Sequence, residues 1–109
     1  MANVYRNAKV DLTTTDNTTV YTAPSNSRAI LKNILVSDDS GSGDSINVTL
    51  TDASAAVFSL FKTKTIGSNA TTELITQPIV LQESEILKAQ ATTAGRLHVV
   101  VSLLEINRD

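Results

Sequence analysis

The chain has 109 residues, a formal net charge of -2 from 9 basic and 11 acidic side chains, and no cysteine. That length makes one domain with a core of its own, and the scattered Lys and Arg exclude the clustered basic surface that nucleic-acid binding needs. Without thiols there is neither a disulfide framework nor a thiolate metal site, and with 4% aromatics and no Trp the core must be packed from Val, Ile, Leu and Ala.

Met1-Ala2-Asn3-Val4-Tyr5-Arg6 leads into no long apolar run, so neither a cleavable signal nor a membrane span is expected. The Asn-X-Thr sequons at Asn17, Asn47 and Asn69 are then chance products of a Thr- and Asn-rich chain. From Asn3 to Leu12, Val4, Ala8, Val10 and Leu12 occupy even positions, with Arg6 breaking the row and Lys9 and Asp11 opposite. Residues 1–17 are therefore a first strand or an extended arm, and residues 18–109 the main domain. The Thr13 to Asn17 cluster favours a turn, because its side chains bond locally to backbone. Thr18 to Thr22 is a short β-branched and aromatic run, closed by Pro24, whose missing N–H cannot serve a central ladder.

Arg28 to Ser37 places Ile30, Ile34 and Val36 on one parity with Lys32, and Leu31 and Leu35 on the other with Asn33. Ile30, Leu31, Ile34 and Leu35 also fit a helical stripe, but the glycine, serine and aspartate loop that follows favours a strand. That loop, Asp38 to Ser45, is expected to join the strand to Ile46–Thr51 as a hairpin. Ile46, Val48 and Leu50 then share one face, and Asn47, Thr49 and Thr51 the other.

Ala55 to Thr65 puts Phe58 and Leu60 on one face, Val57 and Phe61 on the other, and Lys62 and Lys64 together. After a turn at Gly67-Ser68-Asn69, a strand is expected over Thr71–Thr76, then Ile79-Val80-Leu81 behind Pro78, and Ile86–Ala91 after a turn at Gln82–Glu85. Thr92 to Gly95 is expected to close a last hairpin onto Arg96–Ile106, where Leu97, Val99, Val101 and Leu103 oppose Val100, Leu104 and Ile106, the latter set with His98 and Ser102. Both faces of that strand want cover, so it is either roofed by the N-terminal segment or meets another subunit. Eight or nine strands at this spacing predict an all-β fold, an antiparallel β-sandwich of jelly-roll-like or Ig-like type.

Residues with chemistry are few. His98 is the single imidazole and lies between Leu97 and Val99; with no nucleophile elbow or further His or Cys, a structural or interface role is favoured over catalysis or metal binding. Asp38, Asp39 and Asp44 offer oxygen ligands to Ca²⁺, yet lack EF-hand spacing and its closing Glu, and a solvated loop tip is the favoured reading. Gly41-Ser42-Gly43 has neither the helix nor the Lys of a phosphate loop, and Glu83 and Glu85 read as a turn rather than a glycosidase pair. No enzyme, metal or cofactor is predicted. The expected interaction residues are Val4, Tyr5, Arg6 and Val10 on an arm able to extend a neighbour's sheet, and Lys62 and Lys64 on an edge strand. His98, Val100 and Leu104 on the last strand join them.

The segments Thr18–Pro24, Arg28–Val36, Ile46–Leu50, Pro78–Gln90 and Gly95–Ile106, in that order, resemble the small all-β virion structural proteins of tailed bacteriophages. The resemblance runs from Thr18 onward and carries no active site. It implies a sandwich subunit present in many copies of a virion, partnering the major capsid protein or other virion proteins and itself. The expected role is capsid decoration, cementing adjacent capsid subunits; the alternative is a neck, tail or fibre component with a receptor- or glycan-binding loop at Asp38–Asp44.

Overall fold

The computed structural model describes residues 2–75 and 77–107 and contains nine strands and no helix among them. They are β1 (Ala2–Leu12), β2 (Thr18–Thr22), β3 (Ser27–Asp38), β4 (Asp44–Thr51), β5 (Val57–Ile66), β6 (Thr71–Glu73), β7 (Ile79–Leu81), β8 (Ile86–Ala91) and β9 (Leu97–Asn107). The first sheet has the order β1-β9-β3-β6, with β7 also on β3; the second has the order β2-β8-β4-β5. Every pairing is antiparallel. The first strand pairs with the last, the second with the next to last, and so inward to β4 with β5. This nesting is a hairpin rolled into two sheets, the jelly roll, and it decides against the immunoglobulin order.

The nesting corrects two expected hairpins. β3 and β4 lie in different sheets, as do β8 and β9, so the loops Asp39–Gly43 and Thr92–Arg96 arch between sheets. Glycine and aspartate turn chemistry serves an arch as well as a hairpin, so composition does not distinguish them. The true hairpin in the second sheet is β4–β5, with Thr51 opposite Val57. The strand expected over Thr71–Thr76 ends at Glu73, with Leu74 and Ile75 buried beyond it; Thr76 lies outside the described residues.

The core lies between the sheets. From β1 and β9 it takes Leu12, Leu97, Val99, Val101 and Leu103, and from β3 Ala29, Leu31, Ile34 and Val36. Ile46, Val48, Leu87, Ala89 and Ala91 close it from the second sheet. β3 buries both Leu31 and Ile34 because the ladder to β9 shifts at Lys32, between Leu31↔Leu103 and Asn33↔Ser102. The extra residue flips the parity, so two half-strands of opposite phase both face inward. That bulge produces the helix-like spacing of the sequence.

β5 carries two such shifts against β4, on either side of Val48↔Phe61. The expected faces are lost as a result. Leu60 and Phe61 both pack partly on the core, while Val57 and Phe58 both stay exposed. Lys62 and Lys64 likewise do not share a regular face, because Lys64 registers with buried Ile46 and Lys62 falls within the bulge.

Candidate interaction surfaces

Residues opposite one another in an antiparallel ladder point to the same side, so the register defines the outer face of the first sheet row by row. One row is Asp11, His98, Ser37 and Thr71, and the next is Lys9, Val100, Leu35 and Glu73. Asn7, Ser102 and Asn33 follow, then Tyr5, Leu104, Ile30 and Val80, and last Asn3, Ile106 and Arg28. The Tyr5 row is wholly apolar, and the Lys9 row has an apolar centre, Val100 and Leu35, between two charges; the amide and hydroxyl row separates them, with exposed Lys32 beside Asn33 in the bulge. Tyr5 is 78%, Val80 53% and Val100 38% exposed, with Ile30, Leu35, Leu104 and Ile106 half-buried among them.

The second sheet's outer face is different. Its rows read Thr19, Lys88, Thr49 and Ser59, with Thr22, Ile86, Thr51 and Val57 at one end and Gln90 and Asn47 toward the other. Threonines and amides dominate this face, so it is the more polar of the two. A further apolar exposure sits on edge strand β5, where Val57 is 61% and Phe58 54% exposed and Lys62 and Lys64 lie on the same strand. Bulges and a lysine on the core-facing side are devices that keep an edge from pairing indiscriminately.

The residues expected from sequence to contact partners divide among three places. Tyr5, His98, Val100 and Leu104 come together on the outer face of the first sheet, and Lys62 and Lys64 lie on the β5 edge. Val4, Arg6 and Val10 have the inward parity of β1: Val10 packs on the core, and Arg6 Nε lies 3.2 Å from Glu105 Oε2. β1 itself is not a free arm but an edge strand paired with β9 from Ala2↔Asn107 to Leu12↔Leu97. The sequence reading missed Ile30, Leu35 and Val80. Knowing the bulge at Lys32 would have placed the first two, while Val80 is one residue of a three-residue strand with no period to read.

Glu105 continues the buried row of β9 and is 5% exposed. Tyr21, from the opposite sheet, donates its hydroxyl to Glu105 Oε2 at 2.6 Å. Burial and then this bond to Glu105 push the phenol well above the ordinary tyrosine range, against a smaller opposing pull from Arg6. Arg6, Glu105 and Tyr21 thus clamp the two sheets together at one end. Arg6 breaks the apolar row of β1 because the core there contains a carboxylate.

At the other end Asp38 organises the arch. Its Oδ1 accepts the Ser40 hydroxyl at 2.6 Å and the Ser40 N–H at 3.0 Å; its Oδ2 accepts the N–H groups of Gly43 at 2.9 Å and Asn69 at 3.0 Å. The Ser40 hydroxyl first, then the backbone donors led by Asn69, hold the carboxyl well below the usual carboxylate range, outweighing the upward push of burial. Asp44 accepts the Thr93 N–H at 2.8 Å, and Asp39 instead lies near His98, 4.0 Å from Nε2. The three aspartates therefore serve separate places, and Asp38 has both oxygens engaged by the chain itself. Glu85 caps its own turn by accepting the Gln82 N–H at 2.7 Å.

His98 stands on the open outer face with Nε2 3.3 Å from Asp11 Oδ1. Ser37 is its neighbour on β3, so serine, imidazole and carboxylate occupy one cross-strand row. Acyl transfer also needs a nucleophile bonded to the base and donors aimed at an oxyanion; among the described residues the ion pairs of His98 run to the carboxylates of Asp11 and Asp39.

No protein-family model matches this sequence, and no curated protein sequence does. Solved structures match by shape. A chain in the acid-stable capsid of Helicobacter pylori bacteriophage KHP30 superposes with a TM-score of 0.60 at 10% identity, over 99% of this chain and 95% of that one. A chain of the Bacillus endospore appendages, which are disulfide-linked pili, superposes with a TM-score of 0.58 at 9% identity, over 98% of this chain and 89% of that one. The whole chain thus has the fold of small subunits from a phage capsid and from pili.

Proposed function

We propose that this chain is a virion structural protein of a bacteriophage, a capsid decoration subunit that cements neighbouring major capsid subunits from the outside. The observation that carries the reading is the polarised exterior. Apolar exposure collects on one sheet face and one edge, not in a cleft, on a fold that a phage capsid chain of nearly equal length shares. The pilus likeness is supported less well, because the matched pili are disulfide-linked and this chain carries no cysteine. A calcium-dependent glycan loop at Asp38–Asp44 is also disfavoured, since the Asp38 carboxylate is filled by four donors of its own chain.

In this reading the β5 edge meets the shell. Val57 and Phe58 supply the apolar contact, and Lys62 and Lys64 select an acidic capsid surface. Particles assembled without the chain are expected to form but to release their genome at lower temperature, and adding the purified chain restores resistance. The double variant Lys62→Glu, Lys64→Glu should fold normally, bind particles at least about tenfold more weakly and restore little. Equal robustness with and without the chain overturns the cementing role.

A further inference from the structure

We propose that the outer face of the first sheet is a homodimer interface, covered by a second copy of this chain around a two-fold axis parallel to the strands and centred between β9 and β3. This goes beyond the capsid role and stands without it, since it concerns the isolated chain.

The argument rests on the order of residues within the rows. A two-fold axis along the strands keeps each row's position and exchanges its ends. Lys9 at the β1 end of its row then faces the partner's Glu73 from the β6 end, and Val100 faces the partner's Leu35. In the larger apolar row Tyr5 faces the partner's Val80 and Leu104 the partner's Ile30. Between them Ser102 meets the partner's Asn33, and Lys32, exposed in the bulge beside Asn33, has the partner's Ser102 hydroxyl and Asn33 amide oxygen as its acceptors. Among the ladder-paired residues no like charges oppose one another; the exposed bulge residue Lys32 is the one cation near the axis.

The other in-plane axis, perpendicular to the strands, exchanges the two apolar rows instead. It sets Lys9 on Tyr5 and Glu73 on Val80, desolvating two charges with nothing to pair them. Of the two, only the parallel axis pairs Lys9 with Glu73; the charges it leaves without a charged partner, Asp11 on Thr71 and Arg28 on Ile106, lie in the two end rows of the face, next to solvent. The size also suffices. A face three strands wide along the 11 residues of β9, widened by the three-residue strands β6 and β7, covers about 640 Å². Two copies then bury about 1,300 Å², at the lower end of the range of roughly 1,200–2,000 Å² of specific interfaces.

Lys9 and Glu73 are three strand spacings apart within one chain, about 14 Å, so they do not pair internally. That makes charge exchange a clean test. The full chain is expected to sediment as a dimer at micromolar concentration. Lys9→Glu opposes carboxylates at two symmetry-related places and should weaken dimerisation about tenfold or more. Adding Glu73→Lys to the same chain should return it to within about threefold of the original. Circular dichroism identical across the three proteins separates association from folding. A chain that stays monomeric at 100-fold higher concentration overturns the proposal. So does an oligomer of another order, or a dimer indifferent to Lys9→Glu. A monomer whose particle binding falls with Lys9→Glu assigns the face to the shell and overturns it as well.

Discussion

Arg6 and Asp38 are both charged residues in inward-facing rows, and each is there because the chain supplies its counterpart. Arg6 has Glu105, which also accepts the Tyr21 hydroxyl across the sandwich. Asp38 has four donors from the two loops it joins, so its ionised form is worth more folded than unfolded. Its folded pKa is lowered, so its contribution is complete above the ordinary aspartate value of about 3.9 and is lost as pH falls from there toward the folded value. Asp38→Asn keeps one acceptor but turns an amide toward backbone N–H groups, leaving part-buried donors without their acceptor. The variant is expected to melt several degrees lower at pH 7. Urea midpoints measured from pH 6 down to pH 2.5 should fall less steeply for it than for the parent. Parallel curves would mean that Asp38 is not the group that the arch depends on.

At the scale of single strands, legibility followed regularity. β4 and β9 alternate without interruption against β8 and β1, and their faces were readable from period two alone. β3 and β5 were misread because each inserted residue, one in β3 and two in β5, reverses the side chains that follow it, and no residue type announces a bulge at Lys32 or beside Thr63. The outer face of the first sheet was half legible for that reason. β9 and β1 gave Tyr5, His98, Val100 and Leu104, while the bulge of β3 concealed Ile30 and Leu35. In β5 the shift leaves a mark in the backbone: Thr63 has φ 54, a left-handed conformation that a β-branched side chain resists, with its N–H donated to Asn47 Oδ1 at 2.6 Å. Thr63 is exposed, so nothing packs on the side chain that a glycine would lose. Thr63→Gly should relieve about 1–2 kcal/mol of backbone strain against about 0.5–1 kcal/mol of chain entropy. A net gain of about 0.5–1 kcal/mol in chemical denaturation is expected, and a loss would show that the bulge holds threonine without strain.

For the whole molecule, the nested order makes the pairing of β1 with β9 the one of longest sequence separation. β1 and β9 meet from opposite ends of the sequence, which makes closure slow and leaves β9 without one neighbour until it happens. In the proposed dimer this end pairing also sets the association surface, because Lys9 and Tyr5 on β1 supply one margin of the face. A two-fold pair then presents two β5 edges, and a pair that binds weakly through one edge binds much more firmly through two, which is what the proposed bridging of capsid subunits would need. The dependence on β1 can be isolated by removing residues 1–12. The truncated chain loses fully buried Leu12, worth about 2–3 kcal/mol, leaves Glu105 without Arg6, and exposes an edge of 11 residues with an apolar face. It is expected to aggregate when alone and to become soluble and fully folded with a peptide of residues 2–12, since that peptide carries every ladder partner β9 has on that side. A truncated chain that folds and stays soluble without the peptide would mean that β1 is an accessory to the sandwich, and the closure of the roll would then have to be sought in β2 and β8.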